Sequence, residues 1–195
     1  MPIGLDLSAG MLKAVPRGTG TLALADAQRL PLKTASLDGA LAMHMLYHVP
    51  DPAVGVEETR RVLRSGGHFV AAIGGPEHLA EARQLWSALL RDARVSQQMH
   101  DLGLTNTRLS VPRLEELLKR NFPDVHLSTL TSQVVLRNPA ALVRFASSTT
   151  AAKLAAAQGA DMPARLGAAV DDIIAAQGAF RLTTEVALFT SLVRS

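Results

Sequence analysis

Gly4-Leu5-Asp6-Leu7-Ser8-Ala9-Gly10-Met11-Leu12, read together with Ala25-Asp26-Ala27 further along the chain, decides the fold. Pro2 to Leu5 is a short apolar run ending at an acid. Ser8 is then placed to cap a segment whose Met11, Leu12 and Val15 recur at helical spacing. Strand, carboxylate and helix in that order form the end of a βα unit, which is where open α/β sheets bind ligands. After a loop at Pro16 to Gly20, Thr21-Leu22-Ala23-Leu24-Ala25 reads as a buried strand that delivers Asp26 to the same rim. A carboxylate at one strand tip can accept two hydrogen bonds from a ribose diol, and one at the next tip can accept from an exocyclic amine. Two acids so placed describe a nucleoside site. Alone, Asp26 reads equally well as the cap of a turn before Leu30-Pro31, and its spacing from Asp6 is what favours the site.

The rest of the chain continues the α/β pattern. Ser36 to Met43 is a strand whose tip carries His44-Met45-Leu46-Tyr47-His48. Pro52 starts a helix that runs to Leu63, with Ser65-Gly66-Gly67 expected to end it through a left-handed glycine. Glu58 and Arg61 are three apart on that helix and share a face, which predicts an ion pair rather than catalysis. His68 to Ile73 is the following strand, and Gly74-Gly75-Pro76 turns into an amphipathic helix with Leu79, Leu85, Trp86, Leu89 and Leu90. Residues 94–110, which include His100, are polar and show no clean period. Val111 to Asn121 is a helix capped by Ser110 with Pro112 in its first turn. Asp124 to Leu136 reads as a strand, Asn138-Pro139 opens a short helix to Phe145, and Ser147 to Gly178 is alanine-rich and helix-prone with a break near Gly159 to Pro163. Phe180 to Val193 supplies a last strand, antiparallel and at or next to an edge.

Composition bounds the function. A chain of 195 residues suits one domain with a sizeable core, and 48% hydrophobic residues with only 4% aromatics suits aliphatic α/β packing. A formal charge of +3 is no nucleic-acid footprint. The Arg60, Arg61 and Arg64 cluster reads as a solvated face near a helix C-terminus. The absence of cysteine excludes disulfides, thiolate zinc sites and cysteine nucleophiles, and fits a cytoplasmic protein. No apolar run is long enough for a spanning helix, so no membrane role is expected. Gly74-Gly75 lacks the lysine and spacing of a phosphate loop.

Gly4-Leu5-Asp6-Leu7-Ser8 with Met11-Leu12, then Ala25-Asp26-Ala27-Gln28 with Leu30-Pro31, then Ser36-Leu37-Asp38, His48-Val49, Glu58 with Arg61-Val62-Leu63, and Ser65-Gly66-Gly67 follow one another in a set order. In that order the chain resembles the class I S-adenosylmethionine-dependent methyltransferases, in particular their type 11 small-molecule group. The likeness covers residues 2 to about 75 and continues faintly through Leu142-Val143-Arg144-Phe145 and Gly178-Ala179-Phe180-Arg181-Leu182. It implies a Rossmann-like, mostly parallel sheet with helices on both faces and an antiparallel C-terminal strand. It also implies S-adenosylmethionine as cofactor, a small-molecule methyl acceptor as partner, and cofactor contacts from Asp6, Leu7, Asp26, Ala27 and His44. In the resembled family the second acid accepts from the adenine amine while the next backbone N–H, here that of Ala27, meets a ring nitrogen. The resemblance sets His44 and His48 beside the cofactor, at the mouth of the acceptor pocket, and segment 94–110 where substrate or lid elements lie.

Three readings compete for the two histidines. A metal pair lacks an acid or third ligand in a supporting pattern. A core or capping role suits His48, just before Val49-Pro50-Asp51-Pro52, better than chemistry does. His44, nearest the strand tip, is the better pocket residue, since a neutral imidazole there could orient or deprotonate a nucleophilic hydroxyl or amine.

One departure from the family stands out. Its members begin with a strand and a glycine-rich loop that holds the methionine end of the cofactor, whereas this chain starts at what would be the second strand. Gly18-Thr19-Gly20 is no substitute, because it precedes a strand. The expectation is therefore a single, N-terminally shortened domain over 1–195 whose first central strand is missing, with unpaired strand edges beside a gap. It is a shortened version of a longer protein, or a real protein that pairs its second strand directly with its fourth or fills the slot with a partner chain. The remaining option is a scaffold that has lost the cofactor. The functions in play are methyl transfer to a small molecule and, as the alternative, a degenerate non-catalytic scaffold or dimerisation module. A homodimer is one form of the latter, and a nucleotide-dependent oxidoreductase is disfavoured by the absent glycine fingerprint.

Overall fold

The computed structural model describes residues 1–92 and 109–194. The expected lid segment, His100 included, lies outside them but for Leu109 and Ser110. Strands β1 (Ile3–Asp6) and β2 (Thr21–Leu24) flank helix α1 (Ala9–Ala14), and β3 (Leu37–Met43) leads through a short 3-10 turn (Leu46–His48) to α2 (Pro52–Val62). Next come β4 (Leu63–Gly74), α3 (Ala80–Asp92), α4 (Val111–Asn121), β5 (Asp124–Leu136), α5 (Ala140–Ser148), α6 (Thr150–Ala157), α7 (Met162–Gln177) and β6 (Phe180–Leu192). The described residues group into two compact units, one of 1–73, 109–128 and 187–194, the other of 74–92 and 129–186.

The strands form two sheets. β1 and β2 pair in parallel, with Ile3 opposite Thr21 and Asp6 opposite Leu24. The other sheet has the order β3-β4-β6-β5, with β3 and β4 parallel. β6 is antiparallel to β4, as expected: Gly66 N–H donates to the Val193 carbonyl at 2.8 Å and Gly75 N–H to the Glu185 carbonyl at 2.9 Å. Among the described residues β1 does not pair with β3, since the two strands lie in separate ladders.

Two local expectations are corrected. β2 is not buried: Leu24 is 60% and Leu22 38% exposed, because no described element covers the sheet face that these two side chains share, although parallel sheets are ordinarily covered on both faces. The glycines after α2 do not cap it either. The helix ends at Val62, Leu63 is already extended, and β4 begins there. Gly66, at φ +74°, instead bends the start of β4, and at Gly67 a Cβ would come within 2.8 Å of the Arg64 carbonyl.

In the first unit, Leu114, Leu117 and Leu118 face inward from α4, whose N-cap Ser110 accepts the Arg113 N–H. Its outer face carries Arg113–Glu116 and Lys119–Glu115 pairs, each at 2.6 Å. The inward leucines meet Leu46, Val56, Leu63, Ile73 and Phe189, and Phe69 stacks on Phe122 with ring centroids 5.6 Å apart.

The second unit is built from small residues. Alanines of α5 and α6 and Gly167 of α7 let the helices approach closely, and at Gly167 an added Cβ would lie 3.0 Å from Val143. Trp86 of α3 is fully buried among Leu142, Ala146, Leu166 and Phe180. Burial pushes the Glu81 carboxyl up, but hydrogen bonds from the Thr183 hydroxyl (2.6 Å) and N–H (2.9 Å) outweigh it and hold it below the usual carboxylate range. Across the turn after β4, the Glu185 carboxylate accepts the Glu77 N–H at 2.7 Å. A Cβ on Gly75 would fall on that carboxylate, so a side chain there would have to displace Glu185 from the Glu77 N–H.

Removing the Phe69 ring empties the centre of the first core. Phe69→Ala is expected to cost about 3–5 kcal/mol of stability, measured by urea unfolding, and a loss under 1 kcal/mol would contradict this packing.

Candidate functional site

Both acids stand at strand tips and are held by the same local device. The Asp6 Oδ1 accepts the Ser8 N–H at 2.7 Å, and the Asp26 Oδ1 accepts the Gln28 N–H at 2.8 Å. Each is an Asx turn, in which the side chain bonds the backbone two residues on and fixes its own rotamer. Ser8 in turn caps α1, its Oγ accepting the Met11 N–H at 3.3 Å.

Register relates the two. Asp6 lies opposite Leu24, and the Ala25 N–H donates to the Asp6 carbonyl at 3.0 Å. Asp26 is two residues past Leu24, in an isolated antiparallel bridge with Arg29, so each acid stands at or just beyond the C-terminal end of one of two paired parallel strands. Both residues are half-buried. Each acid thus has one oxygen tied to its own backbone. The Oδ2 of Asp26 has only a long 3.5 Å contact from the Gln28 amide.

Gln28 extends the arrangement. Its Oε1 accepts the Asp51 N–H at 2.9 Å, which links the β2 tip to the N-cap of α2. Behind it, Glu58 and Arg61 clamp the loop that follows. Arg61 grips Glu58 with two hydrogen bonds of 2.7 and 2.8 Å and donates to the carbonyls of Leu30 (3.1 Å) and Leu32 (2.9 Å). Glu58 accepts the Leu30 N–H at 2.9 Å. The Arg61 guanidinium, with the Leu30 N–H, holds the Glu58 carboxyl below its ordinary range. The expected ion pair is present.

The remaining expected site residues lie as follows. Leu7 is 71% exposed beside Asp6. Ala27 is half-buried. His44 sits just past β3 with left-handed backbone, φ +52°, an unusual conformation for a residue with a Cβ. Its N–H donates to the Ala72 carbonyl at 2.9 Å, and its ring is exposed. His48 is exposed too, with its ring 4.6 Å from that of Tyr47, and the N-cap of α2 is Asp51 rather than His48. Among the described residues no cluster of three or more His, Asp or Glu could hold a metal, and no helix is long and apolar enough to cross a membrane. Two open depressions, one of about 410 Å³ beside Lys153 and Asp161 and one of about 500 Å³ beside His68 and His126, include neither Asp6 nor Asp26.

Parallel strands joined through helices, with an acid at or just past the end of each of the first two strands, make this a Rossmann-like α/β protein. Residues 2–71 match the family model described as a methyltransferase domain. A malonyl-[acyl-carrier protein] O-methyltransferase of Laribacter hongkongensis is 33% identical over 114 residues, 51% of this chain and 38% of that protein. A 37.1 kDa protein of a Streptomyces fradiae transposon is 41% identical over 80 residues, 38% of this chain and 23% of that one. The chain thus spans well under half the length of these curated relatives. Solved structures share the fold. The YcgJ protein of Bacillus subtilis aligns over 99% of this chain and 82% of its own at 15% identity, with a TM-score of 0.61. A phosphoethanolamine N-methyltransferase 2 of Haemonchus contortus, solved with S-adenosylhomocysteine, aligns over 99% of this chain and 43% of its own at 16% identity and a TM-score of 0.54.

Two outcomes follow from the geometry. Because the folded-state pKa of Glu58 is depressed, its contribution to stability is complete above the ordinary carboxyl value, about 4.3, and is lost as pH falls through the lower folded value. Glu58→Gln should therefore flatten that part of the acid limb in urea titrations, and identical limbs would refute the clamp. At His44, substitution by valine should cost about 1–2 kcal/mol because the left-handed backbone crowds a β-branched side chain. Glycine there should leave the unfolding midpoint nearly unchanged.

Proposed function

We propose that the chain carries an S-adenosylmethionine-dependent methyltransferase activity directed at a small-molecule acceptor. The observation that carries this reading is the pair of turn-locked carboxylates at or just beyond the ends of two paired strands, inside the stretch that matches the methyltransferase domain. The residues fit the adenosine half of the cofactor. Asp6 is the acceptor for the ribose hydroxyls, and Asp26 for the adenine amine. The Ala27 N–H would serve a ring nitrogen, and Leu7 would lend an apolar side to the nucleoside. When bound, the cofactor supplies an electrophilic methyl group on a sulfonium.

The protein's part is positioning and exclusion of water, with at most one base. His44 is the first candidate to orient or deprotonate the acceptor's hydroxyl or amine, and His48 the second. That one curated relative is an O-methyltransferase supports an oxygen acceptor.

A second reading, a non-catalytic scaffold, draws on the divided sheet and its exposed strands. The fold alone does not decide between them, since the [4+2]-cyclase SpnF aligns over 99% of this chain at a TM-score of 0.53 and 13% identity. Calorimetry with S-adenosylhomocysteine separates the two. Methyl transfer requires measurable binding that weakens at least tenfold in Asp6→Ala and in Asp26→Ala while circular dichroism is unchanged. No heat from the parent chain would favour the scaffold, and unchanged affinity in a variant would remove that acid from the site.

A further inference from the structure

Asp26 is contacted at both carboxylate oxygens by one neighbour. The Gln28 N–H donates to Oδ1 at 2.8 Å, and the side-chain amide of the same residue stands 3.5 Å from Oδ2. Chemistry at the far end of that amide fixes which way it points. The Asp51 N–H that meets it at 2.9 Å can only donate, so the amide oxygen lies there and the Nε2 hydrogens are left to the Asp26 side. Ser8, which stands in the same place relative to Asp6, uses its hydroxyl to cap α1 instead. The two turns are thus alike in backbone and differ in what the side chain two residues on is given to do.

A contact of 3.5 Å is too long for a strong hydrogen bond. It leaves Oδ2 able to accept from another donor, while a partial positive charge on a half-buried side chain stands beside it.

We propose that Gln28 is a positioning residue for adenine recognition: its amide holds the Oδ2 of Asp26 in place for an incoming exocyclic amine and ties that oxygen to the N-terminus of α2. The proposal rests on the methyltransferase reading above, in which Asp26 takes the adenine amine. The ionisable groups nearest position 28 are Asp26, Asp51, whose carboxylate accepts the Ala53 N–H at 3.0 Å, and the exposed Arg29 next in the chain. Glu58 and Arg61 of α2 are engaged with each other and with the Leu30–Leu32 backbone.

Calorimetry with S-adenosylhomocysteine, run on the parent and two variants in parallel from about pH 8 down to about pH 5, tests the role. In Gln28→Glu one carboxylate oxygen can still accept the Asp51 N–H, while the other takes the place of the amide nitrogen beside Asp26. Two such carboxylates repel when both are ionised. As pH falls they come to share a proton, which restores a donor to Oδ2. Relative to the parent at each pH, Gln28→Glu should bind about tenfold more weakly at the upper end and recover toward the lower, whereas Gln28→Leu should bind about tenfold more weakly throughout. Circular dichroism checks the fold, and if the leucine variant fails to fold, the near-isosteric Gln28→Glu decides. A deficit in Gln28→Glu that does not change with pH, or unaltered affinity in a folded variant, overturns the positioning role and leaves the methyltransferase reading standing on the parent's own binding. A parent chain that gives no heat overturns both.

Discussion

The arrangement at the rim depends on one guanidinium. Arg61 reaches from α2, the helix after β3, to the carbonyls of Leu30 and Leu32 in the loop after β2, while Glu58 on the same helix takes the Leu30 N–H. These bonds join two sheets that share no ladder. Planar, bidentate geometry suits arginine to the task, and a lysine would reach one partner as a point charge without the fork. Without the clamp, Asp26 would keep its own Asx turn, and the Gln28–Asp51 hydrogen bond would be left to tie that turn to α2 by itself.

From that anchor the chemistry is built by small, local means. Asp6 ends β1 and Asp26 lies two residues past its neighbour β2. Each uses one oxygen to hold itself in place, so its other oxygen is oriented before any donor arrives. Such preorganisation reduces the ordering cost of binding. The same economy shows in Ser8, which donates its N–H to Asp6 and uses its hydroxyl to start α1. A strand tip, a binding acid and a helix start are therefore one piece of structure.

Much of this was legible in the sequence, because the signals are local. Ser8 and Ser110 cap the helices they precede. Pro52 and Pro112 sit in first turns, and Asp124 to Leu136 is the strand its alternation predicts. The Glu58–Arg61 pair followed from spacing alone. Its grip on the Leu30–Leu32 backbone did not, because that contact spans about thirty residues and is made to carbonyls, which every residue has. Gln28 was missed for a like reason, since its role depends on where Asp51 falls. The exposure of β2 was misread because an apolar run looks the same whether or not other elements cover it, and the glycines after α2 were misread because left-handed backbone serves a strand bend as well as a helix end. The left-handed conformation of His44 has no signal in composition or period.

The turn after β4 has a consequence for how such chains can vary. Gly75 lies against the Glu185 carboxylate, which is itself engaged by the Glu77 N–H, although more than a hundred residues separate the two in sequence. A larger residue at 75 must push the Glu185 carboxylate aside, and the Glu77 amide then needs another acceptor. The cost of change at 75 is therefore read at 77 and 185, and a library that randomises 75 together with 185 can recover what one at 75 alone gives up.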